Sequence, residues 1–141
     1  MSIESNKILL RREQEEFWGQ GMEAIATELF ASQVMEADGR LVTPDDLIAV
    51  QRMQRSAAPD LHVHVLDLLG EGDQVMARIE VSGTHQGEWE GIAATGRHFT
   101  ISGMVMRRIA DGKIVARWDN LDMLSVMQQI GATPAPTPPT T

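Results

Sequence analysis

The chain has 141 residues, a formal net charge of −8 and no cysteine. This length suits one domain with its own hydrophobic core, and the lack of cysteine excludes disulfides, thiolate nucleophiles, iron–sulfur clusters and cysteine-ligated zinc sites. The basic residues are scattered along an acidic chain, so nucleic acid, which is bound by clustered lysine and arginine, is not an expected partner.

The first part of the chain predicts helices, because apolar residues recur there at helical spacing. Glycines at Gly19 and Gly21 separate the first two helical segments. Thr43 suits a helix cap and Pro44 the first helical position, so a third helix is expected to begin there. The predicted helices are 5–18, 22–31 and 44–56.

From Leu61 onward the apolar residues alternate, which is typical of strands. The predicted strands are 61–66, 74–84, 97–109 and 113–119, and a short helix is expected at 122–130. Gly83 and Gly103 lie inside strand patterns, where glycine often marks a bulge or bend. This order predicts an α+β fold in which a strongly curved antiparallel sheet and N-terminal helices form a cone around one apolar pocket.

One domain is expected over residues 1–131, followed by a proline- and threonine-rich tail over 132–141 that is expected to be disordered. No apolar run approaches the roughly 18 residues that a membrane helix needs, and the N-terminus does not have the pattern of a signal peptide. A cytoplasmic location without membrane contact is therefore the expectation.

Several short segments of this chain match one known family. They are Pro59-Asp60-Leu61, Gly83-Thr84-His85-Gln86-Gly87, Thr95-Gly96-Arg97, Asp111-Gly112-Lys113-Ile114-Val115, Trp118-Asp119 and Gln128-Gln129-Ile130-Gly131. Over roughly residues 5–131 the chain resembles the SnoaL-like polyketide cyclases, in the cone-shaped group that includes ketosteroid isomerase and nuclear transport factor two. The resemblance implies a hydrophobic small-molecule substrate such as a polycyclic compound, no cofactor or metal, and a homodimer or higher homo-oligomer formed through the outer face of the sheet.

The resemblance also implies an acid–base aspartate at the end of the last long strand, where this chain has Asp119. Arg117 shares the strand face of Asp119 and occupies a position where the cyclases often carry histidine. Burial would raise the pKa of Asp119 and the nearby cation would lower it, and the sequence leaves that balance open. Arg117 is a candidate for stabilising an enolate oxygen; the alternative for the pair is a structural ion pair.

His85, after the second strand, is the third catalytic candidate. It would orient a substrate carbonyl or act as a second acid–base group; otherwise its role is to hold the following loop. Asp122 is expected to cap the last helix. The candidate substrate-binding residues are Trp18, Phe30, Met35, Gly103, Val105, Trp118 and Met123.

The sequence thus favours a cyclase-like enzyme that removes a proton next to a carbonyl and closes a ring by an aldol reaction. Two alternatives stay open. One is another acid–base reaction in the same fold, such as that of an isomerase, dehydratase, epoxide hydrolase or cofactor-independent hydroxylase. The other is a non-catalytic protein that binds a small molecule.

Overall fold

The computed structural model describes residues 2–132. Its helices are α1 (Ile3–Arg12), which continues into a π-helical turn (Glu13–Trp18), a 3₁₀ turn (Glu23–Ile25) leading into α2 (Ala26–Leu29), α3 (Pro44–Ala57) and α4 (Met123–Gln129). Its strands are β1 (Phe30–Met35), β2 (Leu41–Val42), β3 (His62–Glu71), β4 (Gln74–Thr84), β5 (His98–Ala110) and β6 (Lys113–Leu121). The predicted tail, apart from Ala132, lies outside the described residues.

The long helix α3 begins as the sequence predicts. The Thr43 side chain accepts a hydrogen bond from the Asp46 N–H at 3.2 Å, and the Asp46 carboxylate accepts one from the Thr43 N–H at 2.8 Å. Pro44 takes the first helical position, where no N–H partner is needed. This reciprocal cap satisfies two amides that the helix itself leaves free. None of the helices in residues 2–132 is both long and apolar enough to cross a bilayer.

The sheet confirms the predicted α+β class and adds two strands that the sequence analysis did not predict. Its order is β2-β1-β6-β5-β4-β3, so β3 to β6 form the expected antiparallel meander. The second predicted helix was too long, because the chain turns into β1 at Phe30 and pairs in parallel with β6, where Phe30 lies opposite Ile114. The sheet within the described residues is therefore mixed and open, with β2 and β3 at its edges.

The inner face of the sheet meets the helices in a continuous apolar core. Phe17 lies at its centre with no exposed surface, and its ring contacts Trp18 at 4.7 Å and Phe30 at 5.2 Å between centroids, both edge to face. Such aromatic pairs add to the free energy gained by burying the rings. The core thereby fixes the first helix against the start of β1.

The outer face of the sheet carries a row of apolar side chains across four strands. Leu69 lies opposite Met76, Met76 opposite Met106, and Met106 opposite Trp118. Leu69 is 70% exposed and Met76 39% exposed. The guanidinium of Arg108 lies 5.7 Å from the centroid of the Trp118 ring, a distance at which a cation is attracted to the ring face. The row is a candidate contact surface for another protein molecule.

Candidate active site

The inner face of β3 to β6, together with the first helix, the end of α3 and α4, encloses a cavity of about 150 Å³. Aliphatic side chains such as Val63, Ile79 and Ile101 form most of its wall. The polar side chains that line it are Gln14, Gln54, His85, Arg107, Arg117 and Asp119. A mostly apolar cavity with a few polar groups is the usual form of a small-molecule site.

Six of the ten residues proposed from the sequence line this cavity. They are the three catalytic candidates Asp119, Arg117 and His85, and the substrate-binding candidates Trp18, Val105 and Met123. Their roles remain predictions. The shared location follows from strand alternation, since Arg117 pairs with Arg107 and Asp119 with Val105, and all four side chains point to the inner face.

The other four substrate-binding candidates lie elsewhere. Phe30 is buried in the core against Phe17, and Met35 ends β1 between β2 and β6. Trp118 alternates to the outer face of the sheet.

Gly103 points inward but lies beneath Leu121. A Cβ built on Gly103 would lie 2.4 Å from Leu121 Cδ2 and 2.9 Å from the carbonyl oxygen of Asn120. It is Leu121, not Gly103, that reaches the cavity.

Asp119 is bound by a buried arginine that the sequence analysis did not single out. Arg107 Nη1 donates to Asp119 Oδ1 at 2.6 Å. On its other side Arg107 donates to both carboxylate oxygens of Glu13, from Nε at 2.8 Å and from Nη2 at 2.9 Å. Arg107 and Glu13 are 1% and 0% exposed. This two-bond pairing is the geometry that fixes both groups most firmly.

Glu13 continues the buried face of α1, three residues after Leu10 and seven after Asn6, and begins the π-helical turn. In this turn residues five apart face the same side, and Trp18 Nε1 donates to Glu13 Oε2 at 2.8 Å. In a regular α-helix the two side chains would point in directions about 140° apart. The turn therefore places a carboxylate and an indole together under the sheet.

Arg117 lies on the other side of Asp119. Its Nη2 is 3.4 Å from Asp119 Oδ2, and its Nε donates to Glu36 at 3.0 Å. Its guanidinium also lies 5.4 Å from the centroid of the Trp18 ring. The predicted proximity of Arg117 and Asp119 is thus confirmed, and the carboxylate is held between two cations.

These contacts determine whether the pKa of Asp119 lies above or below its ordinary value. Burial acts to raise its pKa, but the charges of Arg107 and Arg117 and the hydrogen bond from Arg107 outweigh burial, and the pKa of Asp119 lies below its ordinary value. Burial alone would lower the pKa of Arg107, whereas the charges of Glu13 and Asp119 raise it. Asp119 is therefore a carboxylate at neutral pH. The nearby Asp122 instead caps α4 by accepting from the Ser125 N–H at 3.1 Å, as predicted.

His85 is held rigidly at another part of the cavity wall. Its Nδ1 lies 3.0 Å from the hydroxyl of Thr95 and 3.3 Å from the Thr95 N–H. Its backbone N–H donates to the carbonyl of Arg97 at 2.9 Å. The side chain is almost fully buried. Within residues 2–132, three polar atoms of cavity-lining residues are buried without a hydrogen-bond partner: Gln14 Nε2, His85 Nε2 and Arg117 Nη1.

Glu13 and Arg107 were missed because each was interpreted locally. Arg107 belongs to the scattered basic residues of the chain, yet it follows Ile101 and Val105 on the apolar face of its strand. A charge on an apolar face requires a buried partner, and this was the available signal. No group of three or more histidine, aspartate or glutamate side chains in the described part of the chain is arranged to hold a metal ion.

The chain is similar to known proteins in both sequence and fold. The family model described as SnoaL-like polyketide cyclase matches residues 8–130. Aklanonic acid methyl ester cyclase DnrD of Streptomyces peucetius is 33% identical over 90 residues, which make up 64% of this chain and 61% of that protein. The match therefore spans less than two thirds of the relative's length.

Two solved structures show the same fold over nearly the whole chain. TsrD from Streptomyces laurentii has a TM-score of 0.86 and 25% identity, covering 94% of this chain and 99% of that one. AclR from Streptomyces galilaeus, a proposed hydroxylase, has a TM-score of 0.81 and 27% identity, covering 96% of this chain and 87% of that one. With the family match, these findings confirm the resemblance read from the sequence: the chain belongs to the SnoaL-like polyketide cyclase family.

Proposed function

We propose that this protein is a cofactor-free cyclase that closes a ring in a polyketide-type carbonyl compound by an aldol reaction. The observation that carries the proposal is the position of Asp119, an ionised carboxylate that lines an apolar cavity beside Arg117. The side chain of Asp119 is 27% exposed, so a ligand can reach it. The sequence relationship to a cyclase supports the same conclusion.

The proposed reaction begins with a proton transfer from carbon to Asp119. Oδ1 is engaged by Arg107 at 2.6 Å, whereas Oδ2 has a longer contact of 3.4 Å with Arg117. Oδ2 is therefore the better acceptor. The electron pair left on carbon forms an enolate, whose oxygen Arg117 stabilises. The enolate carbon then attacks a second carbonyl, and the new alkoxide takes the proton back from Asp119.

The low pKa of Asp119 limits which protons it can remove. A weak base is efficient only when the carbon acid is already acidic. The substrate must therefore carry its proton on a carbon between two carbonyl groups, which delocalise the charge themselves. The enzyme then contributes mainly the orientation of the two reacting carbons.

The proposal is tested by incubating the protein with linear and tricyclic polyketide precursors and separating the products by chromatography with mass detection. We expect a product isomeric with its precursor, or lighter by one water. Asp119→Asn should lower turnover by about a hundredfold or more. Asp122→Asn is the matched control, because it makes the same chemical change at a residue that only caps α4. Undiminished turnover by Asp119→Asn would refute the assignment.

Two other functions each have one observation in their favour. The structural likeness to AclR favours a hydroxylation in the same cavity, which would give a product heavier by one oxygen. The double pairing of Asp119 with Arg107 and Arg117 favours a binding protein, because paired carboxylates are common in structural networks. In that case the precursor would be recovered unchanged after long incubation.

We also propose that two copies associate through the outer face of the sheet. The support is the apolar row Leu69–Met76–Met106–Trp118, whose partly exposed side chains a second sheet would cover. Met76→Lys places a charge in the middle of this row and should produce monomers in sedimentation velocity. Met53→Lys, at a 67% exposed position on α3, is the control. A wild-type monomer would contradict the proposal.

A further inference from the structure

The hydrogen bonds of His85 indicate which ring nitrogen accepts and which donates. A backbone N–H can only donate, and the N–H of Thr95 points to His85 Nδ1 at 3.3 Å. Nδ1 is therefore an acceptor, which also fits the Thr95 hydroxyl at 3.0 Å. In a neutral imidazole with Nδ1 accepting, the proton lies on Nε2. His85 consequently presents an N–H donor from the ring edge opposite Thr95.

This donor has no acceptor among the described residues. His85 is 2% exposed, lines the cavity, and its Nε2 is buried without a partner in residues 2–132. An unsatisfied buried donor costs free energy that a ligand oxygen would recover. The position of His85 on a rigid loop keeps the donor direction fixed, since the Gly96 N–H also donates to the His85 carbonyl at 2.8 Å.

A second donor of this kind belongs to Arg117, which lines the same cavity. Arg117 Nη1 is likewise buried without a partner within residues 2–132. Arg117 pairs with Arg107 on β5, whereas His85 is bonded to Arg97, just before that strand. Arg97 and Arg107 are ten residues apart in the chain, toward opposite ends of β5. The wall between them is apolar, with Phe99, Ile101 and Val105 facing inward, so a ligand that reaches both donors has an apolar middle.

The charges around Arg117 indicate which oxygen it accepts. Two arginines and three carboxylates meet there, namely Arg107, Arg117, Glu13, Glu36 and Asp119, so the cluster carries one formal negative charge. A carboxylate added at this end would increase the repulsion in a partly buried place. A neutral carbonyl oxygen accepts the free N–H without that cost.

We infer that the cavity selects an elongated, uncharged ligand with an apolar middle and a hydrogen-bond acceptor oxygen at each end, one bound by His85 Nε2–H and one by Arg117 Nη1–H. His85 is then an anchor for the remote end of the ligand and does not share the proton moved by Asp119. The inference rests on the proposed function in so far as it describes the ligand as the substrate of a cyclase. The binding of that ligand by His85 and Arg117 does not depend on which reaction follows.

The test measures the affinity of three neutral probes by isothermal titration calorimetry. 2,6-Diacetylnaphthalene has an acceptor at each end, 2-acetylnaphthalene has one, and 2,6-diethylnaphthalene has none. We expect wild-type affinity to fall about tenfold with each acceptor lost. 6-Acetyl-2-naphthoate, which is charged at one end, should bind more weakly than the diacetyl probe. Equal affinities for the diacetyl and diethyl probes would overturn the inference.

The variant His85→Phe assigns one acceptor to its donor. It should reduce the preference for the diacetyl over the diethyl probe from about a hundredfold to about tenfold. A loss of affinity that is the same for both probes would mean that His85 only shapes the wall, and would also overturn the inference.

Two further readouts separate this inference from folding defects and from the proposed reaction. If His85→Phe does not fold, two measurements on the wild-type protein still test the inference. The first is the affinity series with the three probes. The second is a long-range ¹H–¹⁵N spectrum of the histidine ring, in which a proton on Nδ1 would contradict the inference. If Asp119→Asn retains full turnover while the probe preferences persist, the proposed reaction fails and the binding inference stands.

Discussion

Replacing Arg107 with methionine tests the buried network most directly. Arg107 is 1% exposed and bonds to Glu13 and Asp119 at once. Without it, Glu13 keeps one of its three donors, the Trp18 indole, and its charge stays fully buried. Asp119 would retain only its longer contact with Arg117. The substitution thus leaves a buried carboxylate without a cation.

The expected loss is large compared with the stability of a domain. Removing one partner of a buried ion pair costs about 3–5 kcal/mol, out of a total of about 5–15 kcal/mol for a typical domain. At this chain length, such a loss corresponds to a decrease in Tm of about 10–20 °C. Most of this loss in the free energy of unfolding comes from the buried charge of Glu13, which no longer has a cation beside it. Lost packing contributes less, since methionine fills similar space.

A double variant separates these two contributions. Glu13→Gln combined with Arg107→Met removes both charges, while the glutamine oxygen still accepts from Trp18 Nε1. We expect the double variant to recover most of the loss and to lie within about 2 kcal/mol of wild type. Urea unfolding followed by circular dichroism gives the free energies, provided that the m-values agree.

Either of two results would refute this reasoning. A loss below about 1 kcal/mol for Arg107→Met would mean that Glu13 is not held as a buried charge. A double variant as unstable as the sum of the two single variants would mean that the pair stabilises by packing alone.

Three further predictions concern single contacts. Thr43→Ala removes the cap that bonds Asp46 and should cost about 1 kcal/mol in urea unfolding; no measurable change would show that the cap is dispensable. Gly103→Ala forces Leu121 to move and should cost about 1–3 kcal/mol, with a stability equal to wild type as the contrary result. Because the pKa of Asp119 is lowered by folding, its stabilising effect is present above the unfolded value of about 3.9 and is lost as the pH falls further. Below about pH 4, the free energy of unfolding should therefore fall more steeply for wild type than for Asp119→Asn. The same dependence on pH in both proteins would contradict this.

The sequence predicted the elements whose signals are local. Thr43 and Pro44 predict the start of α3, because they are residues typical of a helix cap and a first helical position. The alternation of apolar and polar residues predicts the meander of β3 to β6. Strand β1 was missed because its pairing partner, β6, lies about 80 residues later in the chain, and a short segment gives little sign of such a distant partner. The parallel pairing is a tertiary effect that overrides the local preference for helix.

In the candidate site too, the sequence predicted contacts between residues that are close in the chain and missed contacts between residues that are distant in it. Asp119 and Arg117 share a strand face, so their proximity follows from alternation alone. Glu13 is 94 residues from its partner Arg107, and no local pattern indicates a pairing over such a separation. Its spacing from Leu10 places Glu13 on the buried face of the helix, but a local pattern gives no sign of the cation that it meets there.

The π-turn also constrains how this protein can change in length. A π-helical turn corresponds to an α-helix into which one residue has been inserted. Deleting any one residue between Glu13 and Trp18 would let the segment relax to regular helix and rotate everything before it by about 100°. Leu10 and Asn6, now buried against the sheet, would turn toward solvent. Insertions and deletions should therefore be tolerated in the loops of this protein but not in its first helix, where the extra residue sets the angular position of the whole N-terminal segment.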